Sequence, residues 1–310
     1  MSIIERSVKV DRACTSNCTQ GTTTVKLALP KGRMQDGVFR LLAEAGIKVR
    51  SSARGYRPQL SLPGMEAKIL KPQSVVEMLD AGSRDVGFAG ADWTRELKAD
   101  LIELVDTGLD AVRLVVAAPI AFLDSARKLR PPQDRPLRVA TEYAAIAATW
   151  IAQNHLNAKI VRTHGATEVF PPDDADCIID VAATGDTLRE QNLIVCDEIM
   201  MSSTRLFANR QAMCDPAKRE VIERLVMLLQ SVVEARTRVM VEVNVGRADL
   251  ERLVKTLPCM REPTIATLHG NVGFAVKAAV PRDTLATLIP QIKACGGTDI
   301  VVSQLSQIVP

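Results

Sequence analysis

Between Val25 and Asp92, short apolar runs take turns with segments whose apolar residues recur at helical spacing, and this alternation restricts the fold more than any other property of the chain. Val25 to Leu29 is the first run. Met34 to Ala45 then places Val38, Leu41, Leu42 and Ala45 on one helical face, and Gly46 suits its stop. A basic loop from Ser51 to Pro58 follows, then a helical stretch from Gln73 to Ala81 and the run Val86 to Ala89, ending in Gly90-Ala91-Asp92-Trp93. Strands separated by helices point to parallel sheets with helices on their faces. A second unit of the same kind starts at Arg113 to Pro119. It continues through Leu137 to Ala140, a helix from Tyr143 to Asn154, and the runs Lys159 to Val161 and Cys177 to Val181.

Asp215-Pro216 opens a further helix, with the carboxylate as N-cap and proline in the first turn. Val221, Leu225, Val226, Leu229, Val232 and Val233 give it an apolar stripe. After Arg238 the pattern changes. Val239, Val241, Val243 and Val245 alternate on one face, a helix carries Leu250, Leu253, Val254 and Leu257, and strand-like runs cover Thr264 to Leu268 and Gly273 to Val280. A second helix with Leu285, Leu288, Ile289 and Ile292 stops at Gly296-Gly297, before a last strand from Asp299 to Val302. The order βαββαβ is the ferredoxin-like pattern, in which one sheet face needs cover from helices or another subunit. By itself that fold says little about function.

A chain of 310 residues with 47% hydrophobic and 24% charged residues can bury sizeable cores. Thirty-nine basic against 36 acidic residues, with only two Trp, two Tyr and six Phe, argue against a nucleic-acid surface. The seven cysteines, at 14, 18, 177, 196, 214, 259 and 295, show no CxxC pair and read as reduced thiols. Residues 1–24 lack the apolar centre of a secretion signal, and nowhere do 18 apolar residues run together. The expectation is a soluble cytoplasmic protein, without membrane association, behind a flexible N-terminal tail.

The run Cys177 to Val181 empties into Ala182-Ala183-Thr184-Gly185-Asp186-Thr187-Leu188. Small side chains let backbone amides approach an anion, and a helix beginning near Leu188 would add its positive end. Each hydrogen bond to a charged oxygen contributes about 1.5–3 kcal/mol, so several amides with the Thr184 and Thr187 hydroxyls can hold a phosphate without lysine. The nucleoside-triphosphatase pattern GxxxxGK[ST] is absent. The competing reading is a strand-to-helix turn whose threonines only cap the helix. His155, His164 and His269 have no sequence neighbours that suggest a relay and read as structural.

Four segments in order, Leu29-Pro30-Lys31-Gly32-Arg33, Arg54-Gly55-Tyr56-Arg57-Pro58, Gly87-Phe88-Ala89-Gly90-Ala91-Asp92 and Asp180 to Leu188, carry a resemblance. From about Val25 to its end the chain resembles the long form of ATP phosphoribosyltransferase. The resemblance implies two α/β catalytic domains arranged as in periplasmic binding proteins, followed by a ferredoxin-like, ACT-like regulatory domain. The first catalytic domain would comprise residues 25–112 and 200–236, the second 113–199, and the regulatory domain 237–310. It also implies a reaction of the first step of histidine biosynthesis. Adenine N1 of ATP displaces pyrophosphate from C1 of phosphoribosyl pyrophosphate, with Mg²⁺ required.

Carried onto this sequence, the resemblance makes Arg33 and Asp180 the catalytic candidates. Asp180, Ala183, Thr184, Gly185, Asp186, Thr187 and Leu188 would bind phosphoribosyl pyrophosphate. Lys31, Gly32, Arg33, Arg54, Gly90, Asp92, Arg113 and Tyr143 would bind ATP, the guanidinium forks of the arginines suiting phosphate oxygens. Mg²⁺ would be held largely by the substrate's pyrophosphate, with Asp180 as a possible protein ligand. Asp92 reads equally as a helix N-cap, and Tyr143 equally as a core residue. Histidine would inhibit at Asn244, Thr264 and Asp299, weakened by Asn244 where the family has aspartate. Subunits would assemble as dimers and then a hexamer. Two departures stand out: the segment Phe170-Pro171-Pro172-Asp173-Asp174 replaces a glycine-containing loop after Glu168, and Ala144 stands where proline is common. A two-lobed solute-binding protein and a catalytically silent paralogue are the alternatives.

Overall fold

The computed structural model describes residues 24–50 and 55–309. The expectations for the N-terminal tail, for Cys14 and Cys18, and for Arg54 lie outside the described residues.

An eight-stranded sheet runs through both halves of the chain's first part, residues 25–209. Its first half contains β1 (Val25–Pro30), β4 (Met65–Leu70) and β5 (Val86–Gly90), with β1 parallel to both neighbours. The short pair β2 (Val49–Arg50) and β3 (Gln59–Leu60) forms a separate ribbon. Helix α1 (Arg33–Glu44) buries Met34, Val38, Leu41 and Leu42, and α2 (Pro72–Asp80) buries Val75, Val76 and Leu79. They cover opposite faces, since they feed two separate apolar clusters. Helix α3 (Ala91–Glu96) leads from β5 into β6 (Leu101–Pro119).

The second half contains β7 (Leu137–Thr141), β8 (Ala158–Arg162) and β9 (Cys177–Ala182), with β7 parallel to both. Helix α4 (Ala144–Gln153) packs Ile146, Ala147 and Trp150 on this lobe's core, and α5 (Asp186–Glu190) follows β9. β6 and β10 (Leu193–Asn209) join the lobes as an antiparallel pair. The Thr204–Ala208 part of β10 pairs with β5, whereas the Arg113–Ala117 part of β6 pairs with β9. Their register slips repeatedly between Glu198 and Arg205, where the strands pass from lobe to lobe. Such bulges twist strands and re-aim side chains toward a cleft.

The sequence leads one to start a strand at Arg113, but β6 begins twelve residues earlier at Leu101. Its first part carries Glu103, Asp106, Thr107, Gly108 and Asp110 and so shows no apolar run.

After α6 (Arg210–Cys214), α7 (Pro216–Thr237) is capped by Asp215, whose carboxylate accepts the Ala217 and Lys218 amides. The buried stripe of α7 is Ile222, Leu225, Leu229, Val232 and Ala235; Val221, Val226 and Val233 flank it half-buried. α7 runs directly into β11 (Arg238–Val245), which with α8 (Leu250–Thr256), β12 (Thr264–Thr267), β13 (Phe274–Pro281), α9 (Leu285–Ala294) and β14 (Thr298–Gln304) builds the last unit. Sheet order β12-β13-β11-β14 is that of a ferredoxin-like fold. The four alternating valines of β11 lie under α8 and α9, while Glu242, Lys277 and Val301 share the open face. The chain's end tacks back onto the first lobe. Ile308 N–H donates to Ser231 C=O at 2.9 Å, and Gln307 Nε2 donates to Glu44 C=O at 2.9 Å.

Among the described residues no helix is long and apolar enough to cross a membrane. Cys177, Cys196, Cys214, Cys259 and Cys295 are free thiols.

Candidate active site

Between the lobes lies a hollow of about 370 Å³, and six of the predicted residues line it: Lys31, Arg33, Gly90, Asp92, Tyr143 and Asp180. A larger hollow of about 500 Å³ beside Arg130–Arg135 contains none of them. There Arg135 is committed to Asp176, at 2.6 Å.

Lys31 and Arg33 enter from the turn between β1 and α1, with Gly32 at the helix N-cap. Lys31 Nζ donates to the Tyr56 hydroxyl at 3.2 Å and sits 5.0 Å from its ring centre, so one cation is already oriented. Arg33 is exposed and joins no ion pair among the described residues. Both charges stay available to an anion.

Asp92 is 6% exposed and is not a helix N-cap; that place belongs to Gly90. Its carboxylate accepts the Tyr143 hydroxyl at 2.7 Å and the Ser202 hydroxyl at 2.7 Å, while its own N–H donates to Ser202 Oγ at 3.1 Å. A Cβ at Gly90 would stand 2.1 Å from Asp92 Oδ1, so only glycine lets the carboxylate fold back. Thus three elements, α3, the start of α4 and the crossing part of β10, meet at one buried carboxylate. Tyr143 is a core residue of the second lobe, 3% exposed, and it also stands on the wall of the hollow. Burial, then the Asp92 charge, pushes its phenol far above its ordinary value. It remains a protonated donor.

Asp180, on β9, faces this wall from the second lobe. Burial pushes its carboxyl up to about 6, with the charges of Glu168 and Glu142 adding to the rise and the Val181 N–H, 2.7 Å away, opposing it. Despite the altered Pro171-Pro172 segment, Glu168 therefore stands within electrostatic reach of Asp180. Among the described residues no three His, Cys, Asp or Glu side chains cluster closely enough for a ready metal cage.

Past Asp180, the small-residue loop turns at Gly185, whose φ of +79° belongs to the left-handed region and whose missing Cβ faces open space. α5 starts at Asp186, not near Leu188, and has five residues. So short a helix adds little dipole, and the donors are the loop amides themselves. Thr184 Oγ1 donates to Asp186 Oδ2 at 2.5 Å, and Arg189 also pairs with Asp186. The Thr184 hydrogen bond, then the Arg189 charge, lowers the Asp186 carboxyl from its ordinary value. Ala183, Thr184 and Thr187 are exposed; Leu188 is buried in a small apolar cluster and offers the site only its backbone.

Arg113 lies outside the hollow and pairs with Glu198 at 3.3 Å. The three histidines stand exposed on the surface, away from both the cores and the cleft. Sequence reasoning missed Gln73, Asp110, Glu142, Ser202, Ser203 and Thr204 in the lining. The one local signal was the Ser202-Ser203-Thr204 trio of small hydroxyl residues between the apolar pairs Met200-Met201 and Leu206-Phe207 of β10.

In the last unit, Asn244 Nδ2 donates to Asp299 Oδ2 at 3.1 Å, and the Thr298 hydroxyl reaches the same oxygen at 3.1 Å. Thr264 is not with them. It sits on β12, two strands from β11, beside Lys277 and a separate hollow that includes Arg261 and Glu262.

The family model described as ATP phosphoribosyltransferase matches residues 71–231, and that of the HisG C-terminal domain matches residues 235–307. The ATP phosphoribosyltransferase of Chlorobium chlorochromatii is 34% identical over 291 residues, covering 92% of this chain and 97% of its own length. That of Pelotomaculum thermopropionicum is 32% identical over 291 residues, with coverages of 92% and 99%. A solved Thermotoga maritima structure, described as an ATP phosphoribosyl transferase (HisG:HisZ) complex, aligns with TM-score 0.59 and 27% identity over 68% of this chain and 99% of that one. These matches set aside the solute-binding alternative. With two lobes around a cationic and carboxylate-lined cleft, and with near full-length similarity to such relatives, the chain belongs to the ATP phosphoribosyltransferase family, the enzymes of the first step of histidine biosynthesis.

Proposed function

We propose that the protein joins adenine N1 of ATP to C1 of phosphoribosyl pyrophosphate. The C1–O bond to pyrophosphate breaks and its electron pair leaves with the pyrophosphate oxygen. The observation that carries this reading is the opposition of charges across the hollow: Lys31 and Arg33 from the first lobe and Asp180 from the second, with the small-residue loop continuing from β9 just beyond the lining. Loop amides and the Thr184 and Thr187 hydroxyls hold the 5-phosphate, which displaces the Asp186 carboxylate from Thr184. Asp180 accepts from the ribose hydroxyls. Lys31 and Arg33 meet the phosphate chain of ATP or the departing pyrophosphate, so each substrate is oriented for in-line attack without a covalent enzyme intermediate. Asp92 and Tyr143 shape the wall on which the adenine rests.

Mg²⁺ would neutralise negative charge developing on the pyrophosphate. Asp180, with Glu142 and Glu168 near it, fits an ion that arrives with the substrate and keeps water ligands better than one caged by protein.

Histidine is the proposed feedback inhibitor, bound in the last unit. Support comes from Asp299, whose partners Asn244 and Thr298 are neutral, leaving its charge for a ligand ammonium or imidazolium. Inhibition then shifts an equilibrium between subunit arrangements of a homo-oligomer. Calorimetry that detects no histidine binding to active protein rejects this part.

The main test is direct. Protein incubated with Mg²⁺, ATP and phosphoribosyl pyrophosphate should release pyrophosphate in step with an N1-ribosylated ATP chromophore. No product at high protein concentration rejects the reading.

A further inference from the structure

Helix α4 begins without a side-chain cap from its own segment; its N-cap residue, Tyr143, makes none. Ala144 at the first helical position does not preset the backbone as proline would there. The missing acceptor comes from the other lobe. Glu96, the last residue of α3, accepts the Ala145 N–H through Oε1 at 2.9 Å and through Oε2 at 3.0 Å, and the Ile146 N–H through Oε2 at 3.0 Å. Four residues earlier on the same face of α3, Asp92 accepts the Tyr143 hydroxyl at 2.7 Å. Between them the Trp93 ring lies 4.8 Å from the Tyr143 ring, tilted by 35°.

Glu142 and Tyr143, which line the hollow, lie three and two residues before Ala145, the first of the amides that Glu96 holds. Their position is therefore tied to the contact between lobes. A carboxylate at a helix N-terminus also meets the positive dipole end, which makes this a charged as well as a geometric contact.

We propose that Glu96 is a positioning residue: by capping α4 from the opposite lobe, it couples the closed arrangement of the cleft to the placement of Glu142 and Tyr143 on its wall. Opening of the lobes withdraws the cap, frees the first α4 amides and loosens the residues next to them. Substrates that bind between the lobes then find a cleft already held closed, which spares them part of the ordering cost.

The test uses the full chain carrying Trp150→Phe, so that Trp93 is the sole tryptophan. Glu96→Ala should expose Trp93 to acrylamide in the protein free of substrates. It should also lower kcat/KM by about 3–30-fold, the range expected for a lost N-cap. The fall should appear for ATP and for phosphoribosyl pyrophosphate alike, since the latch serves the whole cleft. Glu96→Gln, which keeps acceptor oxygen without charge, should fall between wild type and Ala; it also carries the test if the Ala variant does not fold. A lower melting temperature with unchanged kcat, KM and Trp93 quenching in the folded protein overturns the proposal, leaving Glu96 a merely stabilising contact. So does an effect confined to one substrate. The kinetic arm rests on the transferase reading, whereas the quenching arm needs no substrate, so failure of the reaction and failure of the latch are told apart.

Discussion

The two regions on either side of Asp180, the Asp92 network in the lining and the loop that follows β9 just beyond it, are built by opposite strategies. On the α3 side, a 6% exposed aspartate accepts one hydroxyl on each oxygen, from Tyr143 at the start of α4 and from Ser202 in the crossing part of β10. Past Asp180 and outside the lining, the Ala183–Thr187 segment is largely exposed, and its side-chain bonds are internal, from Thr184 and Arg189 to Asp186. The first region is finished before any ligand arrives. The second has donors committed to a carboxylate that an arriving phosphate can replace. A buried, fully satisfied network fixes geometry, whereas an exposed loop with exchangeable partners supplies affinity. Mutations in the first region should therefore disturb both substrates together, and mutations in the second only one.

Asp180 stands where the two strategies meet, and it carries the largest expected effect. Asp180→Asn keeps the shape but removes a charge-assisted acceptor, so kcat/KM for phosphoribosyl pyrophosphate should fall by about a hundredfold. In the wild type, kcat/KM should rise with pH through about 6 as the carboxyl ionises, and this limb should vanish in the Asn variant. Stability should move the other way. The folded-state value lies above the ordinary 3.8, so the contribution of Asp180 to stability is fully present below 3.8 and is lost as pH rises through about 6. Asp180→Asn should thus match the wild type in acid and exceed it by roughly 2–3 kcal/mol above pH 6. Urea melts at several pH values measure this. Equal stability at every pH means the carboxylate is not strained by its surroundings.

Asp92→Ala comes next. It strands the Tyr143 and Ser202 hydroxyls in a buried place, at about 1–3 kcal/mol for each group left unpaired. Melting should drop by several degrees, and both Michaelis constants should rise by a similar factor. Asp92→Asn, which can still accept from Tyr143 and donate to Ser202, should recover most of the loss. A rise limited to the ATP constant would show that Asp92 serves ATP directly and does not set the whole wall.

The two regions also differed in how far local pattern revealed them. The loop after β9 and its turn at Gly185 were legible because small residues and hydroxyls stand side by side in sequence, which is also the pattern that the proposed phosphate role needs. The Asp92 network was not: its partners lie 51 and 110 residues away, and Asp92 alone near a helix start looks like a cap. The same physics separates the strands. Buried runs such as Val86–Ala89 and the alternating β11 valines were plain, but the first part of β6 is studded with polar residues that serve the lobe crossing. Asp215 was read correctly as a cap since its donors, Ala217 and Lys218, are two and three residues on. For the site as a whole, the sequence pointed to six lining residues, yet the serines and threonine of β10 became lining only through the bulged register of two distant strands.

The smallest expected effect offers the sharpest contrast. Thr187 is exposed and capable of one hydroxyl bond to an arriving phosphate, in a loop that already supplies several amides. Removing one such bond of about 1.5 kcal/mol should raise the Michaelis constant for phosphoribosyl pyrophosphate about tenfold in Thr187→Ala. The ATP constant and the melting temperature should hardly move, because the residue neither packs in a core nor touches the α3 wall. Asp186→Ala should act in the opposite direction on the same constant, since the phosphate no longer competes with a carboxylate for the Thr184 hydroxyl. The two variants together separate a ligand site from a capped turn: a turn that merely caps α5 loses stability in both, while a cradle shifts substrate affinity up in one and down in the other with stability unchanged.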